Sequence, residues 1–174
     1  MFRALTCLLL TALFASAQQQ QVPRKAENLA IQTGPDKFIW LSEHEGKTRV
    51  VAVIMTTCPH CQYTTGILNK LQKEYEARGV QFLATAIEAM SSLHVDDFKK
   101  QFHPQFPVGY NDQKYVTKFL GLAENDPMFV PQLVFVDKSG MVRAQFTGDD
   151  PRMEKAVQEK NLRETIEKVL KEGK

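Results

Sequence analysis

Six consecutive apolar residues, Val50 to Met55, are followed after two threonines by Cys58-Pro59-His60-Cys61, and a helical repeat begins directly behind that motif. A β-branched, apolar run without alternation predicts a strand buried on both faces, so the chain needs covering layers on both sides of a sheet. Pro59 suits the first helical position, because its φ is preset and the N–H it lacks would have no partner there. Cys58 is thereby placed at the N-cap. Tyr63, Ile67, Leu71 and Tyr75 recur at four-residue spacing, with Leu68 beside them, and Gly79 supplies the stop. The result is a buried strand, a short turn and a helix, with both thiols at the helix N-terminus. Gly66 inside that helix costs roughly 0.5–1 kcal/mol relative to alanine, with no reason visible in the sequence.

The same reading extends along the chain. Phe38–Leu41 is a short early strand and Val80–Ile87 a second buried one. Val95–Phe102 is a helix with Ser92 as its cap, and Phe106-Pro107-Val108 a short extended piece. Asp112–Leu120 is a helix closed by Gly121. Pro131–Val136 is a third apolar strand. After a turn at Asp137-Lys138-Ser139-Gly140, the alternation of Val142, Ala144 and Phe146 predicts a strand buried on one face. Leu162–Leu170 forms a last helix, with Asn161 and Glu164 at capping-box spacing. Strands alternating with helices and ending in a hairpin predict an α/β fold: a central mixed sheet with helices on both faces.

The N-terminus has another character. Arg3 precedes an apolar stretch from Ala4 to Phe14, and Ala15-Ser16-Ala17 has the small–x–small form of a cleavage site. This predicts a secretory signal peptide over residues 1–17, too short to span a membrane, so no membrane span remains after cleavage. Residues 18–35 read as a flexible leader and 36–174 as the folded domain. A net charge of +2 with scattered Lys and Arg gives no case for nucleic acid.

Cleavage would remove Cys7 and leave only Cys58 and Cys61. Closing so short a loop removes little unfolded-state entropy, so structural stapling is a poor reason for the pair. Redox chemistry and metal binding remain. Zinc usually takes four ligands, and His44, His94 and His103 lie at no metal spacing from the pair. Soft thiolates suit Cu(I), which keeps a copper-handling protein as an alternative of a different class. In the redox reading, a Cys58 thiolate faces the amides of His60 and Cys61 and the positive end of the helix dipole. The dipole contributes ~0.3–1 kcal/mol, occasionally ~2, and so typically lowers the pKa by about one unit or less. His60 and Pro59 are expected to tune the thiolate further. Cys58 is then the nucleophile and Cys61, one turn on, the resolving thiol. The pair is its own redox-active disulfide, so no cofactor is expected.

The chain resembles the TlpA-like branch of the thioredoxin superfamily from about Phe38 to the C-terminus. The resemblance rests on Gly46-Lys47 before the apolar strand, the C-x-x-C after it, Phe106-Pro107-Val108, and Val130-Pro131-Gln132-Leu133-Val134-Phe135-Val136-Asp137-Lys138-Ser139-Gly140. It implies a thioredoxin fold with the branch's strand–helix insert between Cys61 and Pro131. It also implies that Pro131 is cis and packs beside the redox pair, and that Val130 pairs its backbone with the substrate chain. Its implied partners are cysteine-containing exported proteins and a membrane redox partner, with the periplasm as location. The chain departs from the branch in three places. Thr57 replaces a common Trp, Ala52 stands where many thioredoxins bury an acid, and Thr64 stands where reductases of the branch often carry Glu. The Pro59-His60 dipeptide and Val130 instead resemble DsbA-type oxidases, which makes oxidation the favoured direction. The alternative within the same chemistry is a reductase for apocytochrome c or other oxidised envelope proteins. Peroxiredoxins need Pro and Thr where this chain has Val51 and Met55.

Overall fold

The computed structural model describes residues 21–123 and 125–173. The expected signal segment 1–17, with Cys7, lies outside the described residues. Eight strands form one sheet in the order β1-β8-β7-β4-β5-β6-β2-β3. They are β1 (Arg24–Lys25), β2 (Ala30–Gly34), β3 (Lys37–Trp40), β4 (Thr48–Ile54), β5 (Val80–Ala86), β6 (Val108–Tyr110), β7 (Gln132–Val136) and β8 (Met141–Phe146). The helices are α1 (Pro59–Tyr75), α2 (Ser91–Phe102), α3 (Gln113–Leu120) and α4 (Gln158–Glu172). β4 pairs in parallel with β5, and β5 with β6, whereas β7 runs antiparallel to both β4 and β8. The sheet is therefore mixed. Between β5 and α3 the chain adds α2 and β6.

The double burial expected of Val50–Met55 follows from the two-residue period of a strand. Val50, Ala52 and Ile54 face one layer with Ile67, Leu68 and Leu71 of α1, Val95 and Phe98 of α2, and Leu162 and Ile166 of α4. Val51 and Val53 face the other, with Val116, Phe119 and Leu120 of α3. A fully buried β4 in the middle of the sheet carries the turn to α1, so the Cys58–Cys61 motif is anchored on an enclosed strand.

Three expectations need correction. Residues 18–35 are not a leader throughout, because the sheet begins at Arg24. β1 pairs with β8, β2 pairs with β3 and β6, and Leu29 and Ile31 are buried. Arg24 donates from Nη2 to the Leu120 carbonyl at 3.0 Å and to Gln145 Oε1 at 2.6 Å. A two-residue strand and a single pair of alternating apolar residues are too short to register as a pattern. Second, α2 starts at Ser91 rather than being capped by Ser92. Its N-cap is Met90, held in the left-handed region at φ 57° with no side-chain cap. Third, α4 starts at Gln158, four residues before the expected Leu162. Asn161 is inside its first turn and donates from Nδ2 to the Arg152 carbonyl at 3.1 Å, so the capping box with Glu164 does not form. A buried bond from Gln158 Nε2 to Thr64 Oγ1, 2.8 Å, ties that earlier start to α1.

Gly66 is exposed on α1, and a Cβ there would meet nothing within 4 Å. Packing does not explain this glycine.

Candidate active site at the start of α1

Cys58 is the N-cap of α1, in extended backbone conformation, with Pro59 behind it. Its Sγ accepts from the Cys61 amide at 3.2 Å. The expected second amide, that of His60, makes no such bond, so one backbone donor faces the sulfur rather than two. Cys58 is half-buried, Cys61 is 0% exposed, and both are free thiols. Burial pushes the Cys61 thiol far above its usual range, and a hydrogen bond with Cys58 pushes it further. A backbone hydrogen bond at Met55 pulls it the other way, and the charges of Cys58 and Glu88 raise it again. The two sulfurs are chemically unequal: one is reachable, and the other is held as a protonated thiol behind it.

The ring of His60 does not point freely into solvent. Its Nε2 lies 2.9 Å from the Met153 carbonyl, and because a carbonyl only accepts, Nε2 is the donor. Met153 follows β8 in a short turn over Pro151–Met153 and is fully buried. Thr64, where the branch often has Glu, is also fully buried and is bonded to Gln158. Ala52 is 0% exposed in the middle of β4. Neither position offers an acid.

A carboxylate reaches the site from elsewhere. Glu88 follows β5, and its Oε1 accepts from the Thr56 amide at 2.9 Å and from Thr56 Oγ1. Its Oε2 is buried with no hydrogen-bond partner. Gln62 Nε2 donates to the Thr56 carbonyl at 2.8 Å. The two-threonine turn between β4 and α1 is thus held from both sides. Sequence reasoning missed Glu88. The available signal was an acid directly behind a buried strand, at the carboxyl edge of an α/β sheet, where sites gather.

Pro131 precedes β7, whose Gln132 is in register with Val53 of β4. Pro131 is buried, Val130 is half-buried, and the bond between them is cis. Val130 and Cys58 pack against the same core layer. A cleft of about 640 Å³ opens beside Cys58 and is lined by Pro59, His60, Gly148, Asp150 and Met153 among others. A larger cleft of about 750 Å³ lies at the opposite end of β4, around Arg49 and Gly140, and its lining holds no cysteine or histidine. Of these two clefts, the smaller is the one lined by a cysteine and a histidine. Among the described residues no group of three or more His, Cys, Asp or Glu is placed to hold a metal ion. No helix among them is long and apolar enough to cross a membrane.

The Redoxin family model matches residues 20–166. A thiol-disulfide oxidoreductase ResA of Bacillus cereus is 26% identical over 139 residues, covering 80% of this chain and 77% of that protein. A thiol:disulfide interchange protein of the thioredoxin family from Chlorobium tepidum TLS superposes with a TM-score of 0.68 at 22% identity, covering 87% of this chain and 99% of that one. The thioredoxin domain of a thiol-disulfide oxidoreductase from Bacteroides vulgatus superposes with a TM-score of 0.68 at 16% identity, over 87% and 99% of the two chains. With two unequal thiols at the N-terminal turn of a helix on this sheet, the chain belongs to the Redoxin family and is a thioredoxin-like oxidoreductase.

Proposed function

We propose that the protein exchanges disulfides with cysteines of exported proteins, with Cys58 as the nucleophile and Cys61 as the resolving thiol. The carrying observation is the asymmetry of the pair: Cys58 is half-buried at the mouth of the cleft and Cys61 is 0% exposed. Only a reachable sulfur can form a mixed disulfide with a protein, and only an adjacent shielded one can break it without competing for substrate. In this reading the cis Pro131 shields the pair and Val130, which packs on the same core layer as Cys58, offers its backbone to the substrate chain. Pro59 shapes the turn and His60 tunes the Cys58 sulfur. The disulfide itself is the only redox group used.

Oxidation of substrates is the favoured direction. Its support is the Pro59-His60 dipeptide together with the Cys61 amide on Cys58 Sγ, since a stabilised Cys58 thiolate is the better leaving group and makes the disulfide more oxidising. The pair is expected to equilibrate with glutathione at a potential clearly above the roughly −270 mV of thioredoxin. A value at or below that would reverse the direction. The same residues would then reduce apocytochrome c or other oxidised envelope proteins, supplied by a membrane redox partner. Cu(I) titration of the reduced protein beside an insulin-reduction assay separates either redox direction from copper handling.

Export, most simply to a periplasm, rests on Arg3, the Ala4–Phe14 apolar run and Ala15-Ser16-Ala17. Mass spectrometry of the protein from its native host is expected to find Gln18 at the N-terminus. A chain still carrying Cys7 would contradict this.

A further inference from the structure

We propose that Glu88 is the acid–base partner of Cys61 in the exchange step, reaching the redox pair from the end of β5. This rests on Cys61 being the resolving thiol. Three observations carry it. The carboxylate is fixed against the β4–α1 turn, because Oε1 takes both the amide and the hydroxyl of Thr56. The second oxygen, Oε2, is buried and unpartnered, which leaves one desolvated acceptor beside the turn. Cys61 is fully buried one turn into α1, so bulk water does not reach its thiol freely. An unsatisfied buried carboxylate oxygen costs stability unless something uses it, so its place beside a redox pair calls for a function.

The charged and titratable surroundings are sparse. Glu88 is bonded to Thr56 in the turn that leads into α1, and the field of its carboxylate contributes to holding the Cys61 proton. Among the described residues no Lys, Arg or His pairs with it. On its own side, its backbone carbonyl accepts from the Ser91 amide at the start of α2. No other carboxylate among the described residues hydrogen-bonds the 55–58 turn. Ala52 and Thr64 supply none, and Thr64 is already bonded to Gln158.

In the resolving step the Cys61 S–H bond breaks and its proton passes to the Glu88 carboxylate. The freed sulfur pair forms the bond to Cys58, and the Cys58–substrate S–S bond breaks, its electron pair leaving on the substrate sulfur as a thiolate. Cys61 is oxidised and the substrate sulfur reduced. In reverse, a substrate thiolate attacks Cys58, Cys61 leaves, and Glu88 returns the proton. The assignment therefore holds for either direction of net flow.

Reduced full-length protein mixed with a chromogenic aryl disulfide releases one aryl thiolate when Cys58 attacks and a second when Cys61 resolves. Glu88→Gln keeps an acceptor for Thr56 and removes the base. It is expected to slow the second release roughly tenfold or more at neutral pH, with the deficit closing as rising hydroxide takes over deprotonation. Thr56→Val keeps the carboxylate and should retain the wild-type pH dependence of that phase. The proposal is overturned if Glu88→Gln resolves within about twofold of wild type at every pH tested, a gap too small for a lost general base. It is equally overturned if Thr56→Val reproduces the loss with the same pH profile, because Glu88 would then only hold the turn. Cys61→Ser separates the underlying assignment: if it still releases the second thiolate at the wild-type rate, the resolving role of Cys61 fails independently of Glu88.

Discussion

Cys58→Ser is expected to abolish disulfide exchange, whereas Cys61→Ser should leave the protein covalently trapped on its substrates through Cys58. The basis is geometric. Cys58 opens onto the cleft at the start of α1, while Cys61 is 0% exposed beneath it. A serine hydroxyl in place of Cys58 cannot attack a disulfide, and the buried Cys61 cannot reach a protein substrate in its stead. With Cys61 replaced, the first S–S bond still forms but nothing adjacent displaces the substrate. The check is non-reducing electrophoresis of each variant with an oxidised model protein, followed by mapping of the linked cysteine. An adduct mapped to Cys61, or full turnover by Cys58→Ser, would reverse the roles.

The second large effect is expected at a residue that carries no chemistry. Gly148 lines the cleft beside Cys58, and its amide donates to the Phe129 carbonyl at 3.1 Å. A Cβ on Gly148 would overlap the Val130 carbonyl oxygen, and would stand 2.6 Å from the carbonyl carbon and 3.1 Å from the Pro131 nitrogen. All three are backbone atoms, so no side-chain rotation can relieve the overlap. Gly148→Ala must therefore push apart the β8 exit and the Val130–Pro131 segment, at a cost of about 1–3 kcal/mol. A displacement of about 1 Å in a group that positions substrate can cost on the order of a hundredfold in rate. Exchange with a protein disulfide should fall by at least about tenfold, and reaction of Cys58 with a small aryl disulfide much less, because the helix N-terminus itself is not displaced. Equal losses with both substrates, or wild-type exchange with an unchanged melting temperature, would show that the close approach is not what shapes the cleft.

Much of this site is legible locally. The strand–turn–helix unit around Cys58 needs only a doubly buried strand, a proline at the first helical position and a four-residue apolar repeat. Those signals are short in range, and β4 and α1 form where they predict. Glu88 is different. It is far from Cys58 in the chain, and only the parallel pairing of β4 with β5, which aligns Ile54 with Ala86, carries it to Thr56.

Position in the chain determined the motif, the order of cysteines and the class of fold, because backbone preference and hydrophobic period act over a few residues. Tertiary structure alone decided where the ring of His60 is tethered and that Gly148 closes on Val130. It also decided that residues from Arg24 onward join the sheet rather than trail from it. Each of these depends on partners distant in sequence, and no local propensity encodes a contact whose other half lies on another strand.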